Sequence, residues 1–257
     1  MDKTQPESSA DLQWIRTTLE NAFEQGLDGE DVNREEVGEA LGALLVCLEE
    51  GTVRVAEPQG HRWSVNTWVK KGLLVGLRIG EVIAPGAGVH KGAGVIVLPH
   101  SHIDAGAYLD EGVLVESHVL VGSCAQVGRR VHLGAAVQLG GMLEPVGARP
   151  VIIEDDVMIG GGCGIYEGTI VRRRAVLAAG VVLTASTPVY DVVKGDVLRP
   201  AFDRPLEIPE GAVVVSGARK LEGEWGAVHG LSLQSQIIVK YRDEDTDPLA
   251  ALEEGLR

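Results

Sequence analysis

Glu116 and His118 stand two residues apart in the segment LVESH and bring a carboxylate close to an imidazole. These groups handle protons near neutral pH, and a neutral imidazole suits removal of a proton from an ammonium. Further along, Arg172, Arg173 and Arg174 form an unbroken basic run. The planar fork of arginine matches phosphate and carboxylate oxygens. Other reactive side chains are less organised. Cys47, Cys124 and Cys163 show neither CxxC spacing nor a disulfide framework, which fits a reduced compartment. His100, His102, His118 and His132 lack the close spacing of a zinc triad, so no metal site is expected. No P-loop lysine follows Gly160, Gly161 and Gly162, which read as turn residues.

Chemistry of this kind needs a rigid base, and the sequence supplies one with a six-residue beat. Aliphatic residues fall at Ile103, Leu109, Val115, Val121, Val127, Leu133 and Leu139. Small or β-branched partners precede each by two positions. After an interruption the beat resumes at Ile153, Ile159, Ile165, Val171, Leu177 and Leu183. A period of six fits neither a continuous helix nor a continuous strand. It fits a parallel β-solenoid with three short strands per 18-residue coil, so that Ile103, Val121 and Leu139 stack. Ile83, Val89 and Val95 continue the partner column upstream. About five coils would span roughly 24 Å. The residue after each inward aliphatic is then a corner, and Glu116 is one. Residues 141–150 break the phase and read as a loop thrown out from a corner, where function often resides.

Three regions follow: a mostly helical domain over 1–80, the solenoid over 81–187, and a β-rich region with an acidic tail over 188–257. Residues 11–27 predict an amphipathic helix with Leu12, Ile15, Leu19 and Phe23 on one face. Asn33 with Glu36 predicts a capped second helix ending near Gly51. TVRVAEP reads as a strand, TWVKKGLLVGLRI as a third helix, GAVVVSG and SQIIVKY as strands, and the tail as a short helix. The chain carries 34 glycines and only 4% aromatic residues, which suits a narrow aliphatic interior with tight corners. A net charge of −14 argues against non-specific nucleic-acid binding. The polar N-terminus and the lack of an apolar run of ~20 residues point to a soluble, cytoplasmic protein without membrane contact. Flat faces and a triangular section predict a homotrimer.

The segments GAYLDEGVLVESHVLVGSCAQVGRRVHLGAAVQLGGMLEP (106–145), VIIEDDVMIGGGCGIYEGTIV (151–171), NTWVKKGLLVGLRI and GAVVVSG resemble the tetrahydrodipicolinate N-succinyltransferases of diaminopimelate/lysine biosynthesis. The resemblance implies a left-handed β-helix, a trimer with active sites between subunits, and succinyl-CoA (or acetyl-CoA) as co-substrate rather than a resident cofactor. It implies an acidic corner at Glu116, normally Asp in the family, that binds or deprotonates the substrate amine. His118 stands where the family has Trp and is a second catalytic candidate. Arg78, Ser123, Gly140, Gly141 and Glu144 are implied to bind substrate, with backbone amides near Gly140–Gly141 polarising the thioester. Coenzyme A is implied along the later coils, past Arg172, Arg173, Arg174, Ala179 and Gly180. Two family residues are missing: Gly164 replaces a Glu, and Val82 replaces an Arg. The alternatives are transfer of another acyl group to another amine, or a non-catalytic β-helix trimer serving as a binding or regulatory module.

Overall fold

The computed structural model describes residues 9–27, 29, 32–79, 86–201, 204–243, 247–248 and 250. Val82, Ile83 and the predicted tail helix lie outside them, apart from its few residues at 247, 248 and 250.

Helix α1 (Ser9–Gln25) buries Ile15, Leu19 and Ala22, with Leu12 and Phe23 half-buried beside them. Helix α2 (Arg34–Glu50) starts at Asn33, whose side chain accepts from the Glu35 and Glu36 backbone N–H groups, and ends at Gly51 in the left-handed region. The expected reciprocal bond from Glu36 is absent because its carboxylate takes the Trp14 indole N–H at 3.0 Å. Helix α3 (Thr67–Ile79) completes the bundle. The three helices meet at Gly72, where a Cβ would lie 2.6 Å from Leu44 and 2.9 Å from Leu19. The strand expected from residue 52 begins later, as Ala56–Gln59 paired antiparallel with Arg62–Val65. Val53 and Val55 instead join the helical core.

The solenoid has three faces of five two-residue strands each, paired in parallel at the 18-residue register where the chain is uninterrupted. The first face runs His90–Lys91, Tyr108–Leu109, Gln126–Val127, Ile152–Ile153, Ile170–Val171. The second runs Ile96–Val97, Leu114–Val115, His132–Leu133, Met158–Ile159, Val176–Leu177. The third runs His102–Ile103, Leu120–Val121, Gln138–Leu139, Gly164–Ile165, Val182–Leu183. Both columns of the beat, from Val89 to Leu183, form one continuous core. Complete burial of each Leu, Ile or Val contributes about 1.5–3 kcal/mol against the unfolded chain.

The terminal regions cover two faces unequally. Arg54 of the helical domain bonds Gln126 and stacks over Tyr108 on the first face. In the C-terminal region, Ala212–Lys220 extends the second face by pairing with Val176–Leu177. This strand runs to Lys220, pairs antiparallel with Ser232–Tyr241, and is joined to it through a short helix, Glu224–Val228. Among the described residues no terminal strand joins the third face.

Candidate active site

The corner between the second and third faces stacks Leu98–His100, Glu116–His118, Gly134–Ala136, Gly160–Gly162 and Ala178–Gly180 from coil to coil. The last residue of each triplet is held in the left-handed region wherever the corner is tight, including His100 (φ 64°) and His118 (φ 62°). Ser101 fastens the corner from the coil below. Its hydroxyl donates to the Glu116 carbonyl at 2.7 Å and accepts from the Val119 N–H at 3.2 Å.

Glu116 is fixed at both oxygens. His132 Nε2 lies 2.7 Å from Oε1, and the Ala135 N–H donates to Oε2 at 2.9 Å. An ionised carboxylate only accepts, so this hydrogen sits on His132 Nε2. Of the two catalytic candidates Glu116 and His118, the sequence places neither against the other; the imidazole that Glu116 meets is His132. The stacking register explains this. His132 points outward directly above Leu114, so its ring reaches the corner one coil below. His118 instead lies against His100, with ring centroids 5.1 Å apart, on the exposed side of the corner. Ala179 and Gly180 share the Glu116 corner three coils on, and are exposed.

Ser123, Gly140 and Gly141 occupy the next corner, between the third and first faces. The Gly140 N–H is already used in the ladder, donating to the Ile165 carbonyl at 2.8 Å. The Gly141 N–H has no acceptor among the described residues, so of the two amides expected to polarise a thioester only Gly141 is available. The loop 141–150 does not stand free. Leu143 packs into the helical core, and the buried Lys70 ammonium donates to the Pro145 and Ala148 carbonyls at 3.3 and 2.8 Å. Glu144 is exposed on this loop. Arg78 is exposed on α3, its guanidinium over the Phe23 ring at 4.7 Å. No contact among the described residues joins it to Glu116 or His118.

The arginine run departs most from expectation. It occupies the third corner, away from Glu116, as a rung in a ladder of alternating charge: Asp110–Glu111, Arg129–Arg130, Glu154–Asp156, Arg172–Arg174, then Glu210. Arg172 is held by Glu154 and Glu207, both at 2.7 Å, and by the His61 carbonyl. Arg173 and Arg174 face Glu210 at 3.7 and 3.9 Å. A free anion at Arg172 would have to displace Glu154 and Glu207. Lower in the ladder, the hydrogen bonds from Arg130 hold the Asp156 carboxyl below its ordinary 3.8. A depressed carboxyl stabilises the fold above 3.8 and loses that contribution as pH falls through its folded value. Arg130→Ala should therefore lower the melting temperature near neutrality, by at most about 1 kcal/mol because solvent screens the pair. The difference from wild type should vanish in acid, once Asp156 is protonated in both states. Thermal melts from neutral to strongly acidic pH check this.

Gly164 also has a local cause. A Cβ there would lie 2.6 Å from Cε2 of the Tyr166 ring, and one at Gly140 would lie 2.8 Å from its Cδ1. Tyr166 therefore covers both glycines, and its hydroxyl donates to Gln138 Oε1 at 3.1 Å. Sequence reading missed His132, Gln138, Tyr166 and Lys70. The 18-residue register, applied to outward as well as inward positions, would have exposed the first three. The three cysteines are buried, and burial pushes the Cys124 thiol up to about 12 and Cys163 to about 11, so neither is a nucleophile near neutrality.

A parallel hexapeptide coil bearing a hydrogen-bonded carboxylate at one corner and an open backbone amide at the next is a frame suited to acyl transfer. Comparisons narrow the class. A model described as "Tetrahydrodipicolinate N-succinyltransferase N-terminal" matches residues 14–79, and one described as "Hexapeptide repeat of succinyl-transferase" matches 150–185. The chain is 35% identical over 281 residues to the 2,3,4,5-tetrahydropyridine-2,6-dicarboxylate N-succinyltransferase of Nitrobacter winogradskyi, covering 95% of this chain and 98% of that protein. It is 35% identical over 284 residues to the protein of the same name from Bradyrhizobium diazoefficiens, covering 96% and 99%. A solved hexapeptide-repeat acetyltransferase from Vibrio cholerae, complexed with acetyl coenzyme A, is 19% identical, with TM-score 0.37 and coverage of 77% and 92%. This chain belongs to the tetrahydrodipicolinate N-succinyltransferase family, and its solenoid is the left-handed parallel β-helix of hexapeptide acyltransferases.

Proposed function

We propose that this protein transfers the succinyl group of succinyl-CoA to the amine formed when 2,3,4,5-tetrahydropyridine-2,6-dicarboxylate opens, as a cytoplasmic step toward diaminopimelate and lysine. The observation that carries the reading is Glu116, its carboxylate oxygens held by His132 Nε2 and the Ala135 N–H. Its remaining lone pairs accept a proton from the substrate ammonium. The free amine attacks the thioester carbonyl, the developing oxyanion is met by a backbone N–H such as that of Gly141, and the thiolate of coenzyme A leaves with a proton. The buried cysteines favour direct transfer over an acyl-enzyme route.

Small residues above Glu116, namely Gly134, Gly160, Ala178, Ala179 and Gly180, leave room along that corner for the thioester arm. With Arg172 tied to carboxylates, Arg173 is the exposed member of the run that a nucleotide phosphate could reach. Glu116 and Gly141 stand at opposite edges of the open third face, a strand of only a few residues apart. A homotrimer in which one protomer's corner meets a neighbour's third face would bring such groups together. Sedimentation equilibrium should then give three times the 27.2 kDa chain mass.

The test is release of free thiol from succinyl-CoA in the presence of tetrahydropyridine-2,6-dicarboxylate. Turnover with succinyl-CoA, exceeding that with acetyl-CoA by about tenfold or more, is the expected result, since a pocket that hydrogen-bonds the distal carboxylate discriminates strongly. Equal turnover would support a broader acyltransferase. Coenzyme A binding with no turnover would support the non-catalytic reading.

A further inference from the structure

The third face carries a pair of polar side chains that the mechanism above does not use. Gln138 and Gly164 are partners on adjacent coils. Tyr166 lays its ring across Gly164 and Gly140, where neither position has room for a side chain beneath it. The ring is thus fixed by packing, and its hydroxyl is fixed by Gln138 Oε1 at 3.1 Å. With that oxygen accepting, the two N–H donors of the Gln138 carboxamide turn away from Tyr166 toward solvent, where Gln138 is exposed.

The setting favours an anionic ligand. The pair lies on the face left open by both terminal regions, between the Glu116 corner and the unpartnered Gly141 N–H. The outward residues of this face are His102, Leu120, Gln138, Gly164 and Val182. Among these the only group able to carry a positive charge is His102, and it is paired with Asp104 at 2.8 Å. A carboxylate arriving here meets neutral donors, the two N–H groups of Gln138, aimed by the Tyr166 hydroxyl that holds its carbonyl oxygen. Donors of this kind, held rigidly, bind a carboxylate without a counter-charge.

We propose that Gln138, aimed by Tyr166, binds one carboxylate of the dicarboxylate acceptor and so sets acceptor specificity. The proposal rests on the acyl-transfer reading above for the identity of the acceptor. Tyr166→Phe keeps the ring over both glycines and removes only the hydroxyl, and Gln138→Leu removes the carboxamide at similar volume. Each should raise the acceptor KM by ~10-fold or more, the worth of a hydrogen bond to a charged group. The kcat should stay within about threefold, and the KM for succinyl-CoA should not change.

Titration calorimetry with pimelate, a seven-carbon dicarboxylate, on the coenzyme A-saturated protein separates this proposal from the reading beneath it. Wild type should bind pimelate, and both variants should bind it ~10-fold or more weakly. Equal affinity in all three proteins, or no binding to wild type, overturns the proposal. Binding that depends on both residues, in a protein that releases no coenzyme A, would overturn succinyl transfer and leave the carboxylate site standing.

Discussion

Glu116→Gln is expected to lower kcat/KM for thiol release by about 10²–10⁴-fold, the usual worth of a positioned proton acceptor. Glutamine keeps the size of the side chain and still accepts from the Ala135 N–H, so the corner should hold its shape and the melting temperature should change little. What it loses is the capacity to take a proton from the ammonium. Glu116→Asp tests position separately from charge. Shortening the chain by one methylene withdraws the carboxylate by ~1.5 Å from His132 and Ala135, and a displacement of about 1 Å can cost 10²-fold. His132→Ala should fall between wild type and Glu116→Gln, because it frees Glu116 to rotate without removing it. His118→Ala should cost less than either, since His118 lies tilted against His100 and makes no bond to Glu116. Steady-state kinetics on these four proteins order the roles. Glu116→Gln within about threefold of wild type would remove Glu116 from the chemistry, and a larger loss at His118 would transfer the base to it.

The contrast between His118 and His132 shows how far the sequence was legible. The inward column announces itself because each coil must fill the same narrow interior, and only aliphatic side chains of similar volume do so. That one constraint fixed the strands, their register and the corners. Asn33, Gly51 and the TWVKKGLLVGLRI helix were readable for equally local reasons, a cap and an apolar stripe. Which outward side chains meet is a different question, because it depends on neighbours one coil away rather than in sequence. His118 drew notice through its place in the family pattern, whereas the structure sets it against His100 and sets His132 against Glu116. Arg172, Arg173 and Arg174 show the same dependence. Read along the chain they are a basic patch, and read across coils they lie between Glu154 and Glu210, with Arg172 closely paired and Arg173 exposed. Tyr166 was invisible because what makes room for it is the absence of side chains at Gly140 and Gly164, one of them in another coil.

Lys70→Met should lower kcat by about 10²-fold, the scale expected when a catalytic segment shifts by ~1 Å, while leaving the fold intact. Lys70 is 0% exposed, and its ammonium bonds only the Pro145 and Ala148 carbonyls, both in the loop that follows Gly141. Among the described residues no carboxylate pairs with it, and the neighbouring Cys124 thiol stays protonated. Burying an unpaired ammonium costs several kcal/mol, and each charged hydrogen bond offsets about 1.5–3 kcal/mol of that. The two nearly cancel in global stability, so methionine, which fills the same space, should change the melting temperature little. They do not cancel for the loop, which loses both Lys70 anchors while the Met142 N–H bond to Ser123 and the Leu143 contact remain. Hydrogen–deuterium exchange should accelerate over residues 142–149 and not in the coils on either side. Burial holds the Lys70 amine below its ordinary 10.5, so in the alkaline range under that value the unfolded chain binds the additional proton. Wild-type stability should therefore gain with rising pH there, from this group, by an increment that Lys70→Met lacks. Unchanged exchange in the loop together with unchanged kcat would mean that Lys70 merely fills a gap between α3 and the solenoid, and that Gly141 is held in place by the coil alone.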